Sequence, residues 1–212
     1  MTKTTETDEP LDPRPGGTRR ALEQLQAATH RLALRRARDS LPGKIVTRRL
    51  VLRAPMRGDV PEMVRLADNR AIAERLTRMP HPYSRADAVG FIEIVAQRDD
   101  ERPYAITLDD SFIGIIGLSF HDGSPPELGY WLGEPFWGRG LMSEAARGLV
   151  DAAHRTPHFP LIAARALADN AGSLGVLEKI GFARTGRTSL GTAPMSEGAT
   201  MLHLELERPR WM

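Results

Sequence analysis

Two hydrophobic periodicities divide the chain. Between Thr18 and about Asp39, apolar residues recur at helical spacing (Leu22, Leu25, Ala28, Leu32) among good helix formers, and Leu41-Pro42-Gly43 stops the pattern. From Lys44 the texture becomes a compact alternation. Residues 45–53 (IVTRRLVLR) read as a strand, and Asp59 with Glu62, around Pro61, predicts a capped helix through about Ala67. Ser84 and Asp87 form a second capping box. They precede Ala88, Phe91, Ile92, Val95 and Ala96, which share one helical face. A hairpin follows, 103–108 and 112–120 around Asp109-Asp110-Ser111. Next come a strand at 127–132, a helix at 141–154, a strand at 161–168, a helix at 172–180, and strands near 181–187 and 200–208. Antiparallel strands first and alternating helices later predict one α/β (α+β) domain over residues 44–212, a mixed sheet with helices on both faces. Residues 18–43 are expected as a basic amphipathic helical extension. Residues 1–17, polar and rich in Pro and Gly, are expected to be disordered.

Composition narrows the chemistry. The chain has 212 residues, 41% of them apolar, enough for a sizeable core, and no cysteine, which excludes disulfides, thiolate metal sites and a cysteine nucleophile. The N-terminal residues lack the apolar middle of a signal peptide, and no stretch reaches the roughly 20 apolar residues of a membrane span. A soluble cytoplasmic protein without membrane partners is therefore expected. The formal charge is +2, but residues 18–53 carry a net +8 and residues 54–212 a net −4. Three readings of the basic segment stay open: a helix packed on its own domain or on a twin subunit in a homodimer, a nucleic-acid-facing arm, and a membrane-surface helix. His154 and His158 have ligand-like spacing, but Pro157 intervenes and no third ligand is evident, so no metal site is expected.

The most informative stretch is Glu127 to Ala146. A strand ends near Leu132, a loop supplies Gly138 and Gly140, and a helix begins at once. Glycines let the backbone present a concave run of N–H groups, and the helix start adds free donors and the positive dipole end, a combination suited to phosphate or pyrophosphate. Simple chain reversal is the alternative. The run lacks the Gly-Lys-Ser/Thr of a nucleotide P-loop and the third glycine of a dinucleotide fingerprint.

The run WGRGLMSEA resembles the acyl-CoA pyrophosphate loop of the GCN5-related N-acetyltransferases, and NAGSLGVLEKIGF (170–182) resembles their next hallmark. TRRLVLRAP and GYWL are similar to the branch that includes ribosomal-protein N-terminal acetyltransferases and many small-molecule acetyltransferases. The resemblance spans about residues 44–208. It implies the acyl-CoA N-acyltransferase fold, with a sheet splayed between the GYWL strand and the strand at 161–168. It also implies acetyl-CoA as co-substrate: Trp137, Gly138, Arg139, Gly140, Leu141, Met142 and Ser143 around the pyrophosphate, Tyr130, Trp131 and Leu132 beside the pantetheine arm, and Asn170 opening the following helix. Trp137 stands where the wider superfamily has Gln or Arg, Met142 where it has a small residue, and Leu177 where many relatives have a tyrosine.

Acetyl transfer to an amine needs a neutral nucleophile, an oriented thioester and stabilisation of the departing thiolate. Glu127 is the candidate base, or else an exposed strand-end carboxylate. Ser173 matches the family's Asn-x-x-Ser and is the candidate acid, or else a first-turn helix residue beside the Asn170 cap. The expected reaction is direct transfer of acetyl to a primary amine, on a protein N-terminus or on a small molecule such as an amino acid, polyamine or antibiotic. A non-catalytic acyl-CoA-binding module and a nucleic-acid-binding protein are the rival classes. Residues 188–199 are expected as an acceptor-side loop or a long connection.

Overall fold

In the computed structural model, residues 16–76, 78–121, 123–191 and 197–209 are described. The expectation of a disordered tail falls almost wholly on residues 1–15, outside the described residues. Helix α1 (Gly16–Ser40) leads into β1 (Lys44–Val46), β2 (Leu50–Arg53), α2 (Val60–Ala67), α3 (Arg70–Ala73), α4 (Arg85–Glu93), β3 (Glu101–Leu108) and β4 (Ser111–Ser119). Then follow β5 (Glu127–Leu132), α5 (Leu141–His154), β6 (Leu161–Leu167), α6 (Ala171–Ile180), β7 (Ala183–Leu190) and β8 (Thr200–Glu207). The strands form one sheet in the order β1-β2-β3-β4-β5-β6-β8-β7. Every pairing is antiparallel except β5 with β6.

Side-chain alternation along the strands builds a core on each face. One face carries Tyr104, Ile106, Ile116, Leu118 and Leu128, which pack with Leu141, Ala145 and Leu149 of α5 and Leu174 and Leu177 of α6. The other carries Ala105, Phe112 and Ile115 under Val60, Met63 and Leu66 of α2 and Ala88 and Ile92 of α4. The helices on both faces are those expected from the alternation.

Three local expectations are corrected. The strand at 45–53 is two short strands paired antiparallel, Ile45 opposite Leu52, with Thr47 accepting from Leu50 N at the turn. Asp59 does not cap α2 through its side chain. It is 4% exposed and bonded to Arg53 at 2.8 and 2.6 Å and to Met56 N at 2.9 Å. A buried carboxylate needs a charged partner more than a helix end needs a cap. Of the predicted α4 face, Ala88, Ile92 and Ala96 are buried, whereas Phe91 and Val95 are half-buried and line a cavity. The Ser84–Asp87 box forms as predicted, with Asp87 Oδ2 accepting from Ser84 N at 2.8 Å. The Asp109–Asp110 turn has positive φ at both residues, 49° and 63°, matching the twist of a tight hairpin.

Among the described side chains of α1, those at its C-terminal end reach the core, Leu34 and Ala37, together with the following Leu41. Arg35 and Arg38 approach Asp99 at 3.9 and 3.6 Å. Leu22, Leu25 and Leu32 are half or more exposed, so the apolar stripe of the extension has no cover within the described part of this chain. No helix among the described residues is long and apolar enough to cross a membrane.

Candidate active site

The site begins where the sheet opens. β5 pairs with β4 along its whole length, from Ser119↔Glu127 to Gly114↔Leu132. Against β6 it pairs at Glu127↔Ala163 and Leu128↔Ala164 only. β6 meanwhile follows β8 from Leu161↔Glu207 to Leu167↔Met201. Each strand is held by its antiparallel neighbour, so the parallel edge comes apart, and from Gly129 onward β5 presents unpaired main-chain groups toward β6. The expected splay is present.

At the far end of β5 the chain turns through Gly133 and a short 3-10 segment into Gly138 and Gly140, with φ of 72° and 70°. A left-handed backbone favours glycine. Among the described residues, none of the amides of Gly138 to Ser143 donates to a protein acceptor; the first intrahelical bond here is Glu144 N to Gly140 O, at 3.1 Å. Free donors thus converge on the N-terminus of α5, the arrangement that suits a diphosphate. The side chains of Leu141 and Met142 are buried in the core, which leaves only their amides for a ligand. Trp137 turns its indole back, Nε1 donating to Leu132 O at 2.7 Å, and so ties the loop to the strand end. Arg139 lies 5.9 Å from the Phe136 ring centroid.

Sequence reasoning missed what holds this loop. Glu144 Oε1 accepts from Thr47 Oγ1 and Arg49 N, both at 2.7 Å, and Oε2 from Arg49 Nε at 2.7 Å. Arg49 Nη1 also donates to Arg139 O at 3.2 Å. The β1–β2 turn is thereby clamped to the first turn of α5. Its only local signal is an acidic residue in a first helical turn, which fits a dozen roles. Burial resists ionisation of Glu144, but the Thr47 and Arg49 bonds outweigh it and hold the carboxyl below its ordinary value of 4.5. A depressed folded value contributes stability above the unfolded value and loses it as pH falls through the folded one. Acid-melting curves should therefore lose a component below about pH 4.5 that Glu144→Gln removes.

Tyr130, of β5, spans to α6. Its hydroxyl lies 2.9 Å from Ser173 Oγ and 3.1 Å from Ser173 O, while Asn170 Oδ1 accepts from Ser173 N at 3.1 Å. Burial pushes the Tyr130 phenol up to about 12, against the opposing effect of the Ser173 bond. Glu127 Oε2 accepts from Arg165 Nε at 2.9 Å, and among the described residues its other oxygen has no protein partner. Glu127, Tyr130, Trp131, Leu132, Trp137, Gly138, Gly140, Leu141, Met142, Ser143, Asn170 and Ser173 all line one cavity of 1350 Å³. Arg139 alone of the predicted set does not line it.

Of the expected acceptor loop, Thr188–Leu190 belong to β7 and residues 192–196 lie outside the described residues. No group of three or more His, Asp or Glu among the described residues is placed to hold a metal.

Comparisons with known proteins agree with this geometry. "Putative ribosomal N-acetyltransferase YdaF" of Bacillus subtilis (strain 168) is 29% identical over 105 residues, 49% of this chain and 57% of that protein. "Probable N-acetyltransferase YjcK" of the same organism is 35% identical over 95 residues, 42% of this chain and 52% of that protein. The chain spans about half the length of these curated relatives. RimL ribosomal L7/L12 alpha-N-protein acetyltransferase in complex with coenzyme A superposes with a TM-score of 0.69 at 20% identity, over 77% of this chain and 97% of that one. The microcin C7 self-immunity acetyltransferase MccE, in complex with acetyl-CoA and AMP, gives 0.68 at 18%, over 79% and 98%. These two likenesses establish the fold. The family model of the acetyltransferase (GNAT) domain matches residues 49–183, from the clamp arginine to the start of β7, and the chain belongs to that family.

Proposed function

We propose that the protein transfers an acetyl group from acetyl-CoA directly to a primary amine, in the cytoplasm, and that a protein N-terminus is the first class of acceptor to examine. One observation carries the reading: an open β5 edge from Gly129 runs toward a loop of unpartnered amides at the start of α5. A strand edge is a template for an extended chain, and a helix start is a template for an anion; a pantetheine diphosphate is both in one molecule. Acetyl-CoA would supply the activated thioester. The names of YdaF and RimL support the choice of a protein N-terminus.

The chain's own groups account for the remaining requirements. The free oxygen of Glu127 is available to take the proton of the attacking amine, directly or through water, while Arg165 fixes the carboxylate's orientation. Ser173 Oγ–H is the donor for the departing sulfur. The Tyr130 phenol stays protonated throughout the neutral range. It has one proton to give: when that goes to Ser173 O, the Ser173 hydroxyl is free to donate to the cleft. Ser173→Ala is expected to lower kcat about a hundredfold with CoA affinity unchanged. Tyr130→Phe should lower it less, and the double variant no further than Ser173→Ala, because the two hydroxyls act as a unit. Steady-state kinetics alongside CoA titration calorimetry check this.

The test of the function is thiol release from acetyl-CoA with pooled N-terminal peptides and small amines, with product identity read by mass. CoA binding without turnover on any acceptor would leave the acyl-CoA-binding module as the better description.

A further inference from the structure

The acceptor side of the cavity has a layered floor. Register places three rows of side chains on the α2–α4 face of β3, β4 and β5: Ala105–Ile115–Trp131, Pro103–Gly117–Gly129 and Glu101–Ser119–Glu127. The first row is apolar, the last polar, and the middle one nearly bare. A Cβ built on Gly129 meets nothing within 4 Å. One built on Gly117 would meet Arg102 O and Pro103 Cα at 2.8 Å, so the open part of the row is the trough over Gly129, in a cavity that Ile72, Met79 and Phe91 also line.

The polar row is electrically satisfied. Glu101 is 8% exposed; its Oε1 accepts from Arg78 Nη1 at 2.6 Å and its Oε2 from Ser119 Oγ at 2.8 Å, while Arg78 Nη2 donates to Ser119 Oγ at 3.0 Å. Glu127 has Arg165. Each floor carboxylate thus already has a guanidinium of its own. A polyamine or aminoglycoside needs several uncompensated carboxylates to replace the water stripped from its cations; the floor offers none, and the two other carboxylates of the cavity lining, Asp87 and Asp169, share it with the cations Arg75 and Lys179.

We infer that the trough binds the group next to the reacting nitrogen, and that this group is large and apolar: the acceptor is a primary amine with a Met-, Leu- or Phe-sized substituent on or beside its amine-bearing carbon. The substituent lies over Gly129, between Trp131 and the α3–α4 wall, and the amine reaches Glu127. A peptide N-terminus with such a first residue and a small apolar monoamine share this chemistry. The inference rests on the acetyl-transfer reading and specifies its acceptor.

The experiment uses the full chain with saturating acetyl-CoA. Acceptors are pentapeptides differing only in the first residue (Met, Leu, Phe, Ser, Ala, Lys), together with phenethylamine, spermidine and an aminoglycoside. Met, Leu and Phe peptides, or phenethylamine, are expected to exceed Ser and Ala peptides and the polycations in kcat/KM by about tenfold or more, the scale of burying one large apolar side chain. The peptide and phenethylamine arms distinguish the two sources. Phe91→Ala removes an apolar wall of the trough on α4, away from the β5 edge, so it should cut the preference severalfold while CoA affinity stays within about threefold. Fastest turnover of Ser or Ala peptides or of a polycation, or a preference that survives Phe91→Ala undiminished, overturns the inference and leaves the acetyl-transfer reading standing. If no amine is acetylated, calorimetry of the same peptides on the CoA-loaded protein separates the two ideas: tighter binding of apolar-headed peptides keeps the trough and sinks the reaction, and its absence sinks both.

Discussion

Alanine at both Gly138 and Gly140 is expected to weaken CoA binding by roughly a hundredfold while leaving the melting temperature within a few degrees. Both residues hold positive φ, 72° and 70°, where a side chain costs about 1–2 kcal/mol apiece. Neither Cβ would strike protein: nothing lies within 4 Å of the one, and the other meets only Arg49 Nη2 at 3.9 Å. The cost therefore falls on the loop's conformation and on the space in front of its amides, not on the core. The loop can relax by rotating those amides away from a common point, which removes the anion site without unfolding α5. Calorimetric CoA titration and thermal melting of the double variant measure the two quantities separately. Undiminished CoA affinity would mean that the diphosphate does not sit on these amides, and the proposed function would lose its main support.

The second large effect is at Glu127. Glu127→Gln should lower kcat by about 100- to 10,000-fold at neutral pH with little change in CoA affinity, because the amide keeps the shape but cannot take a proton. Its ion pair with Arg165 is the structural alternative: side chains 25% and 38% exposed make a bond whose loss alone costs little stability. The two roles give different signatures. A base lost from the variant leaves a residual rate that small exogenous bases partly restore, with CoA affinity unchanged. A merely structural carboxylate would leave kcat near normal, with at most a small change in melting temperature and nothing for an added base to rescue. Normal kcat in Glu127→Gln would return Glu127 to an ordinary strand end.

Much of the architecture was legible along the chain because its signals are local. Strand β5 and helix α5 have the bounds expected from alternation at 127–132 and from the periodic run at 141–154. The Ser84 box and the glycine-rich turn depend on neighbours within a few residues, and both form. The same kind of reading failed at Asp59, where a motif correct in spacing was outcompeted by Arg53. It also ran through Thr47-Arg48-Arg49, which carry strand-like neighbours but form the β1–β2 turn.

What the sequence determined by itself was therefore the kinds of elements, their order, and the few positions whose backbone or chemistry only certain residues can supply. Tertiary structure decided which of those positions meet. The Arg49–Glu144 clamp joins residues 95 apart and the Tyr130–Ser173 pair residues 43 apart, and the row Glu101–Ser119–Glu127 exists only because three strands stop in one register. Periodicity reports which face a side chain takes on its own element. It holds no information on the partner across the gap, since that depends on how helices and strands distant in sequence pack to bury both faces of one sheet.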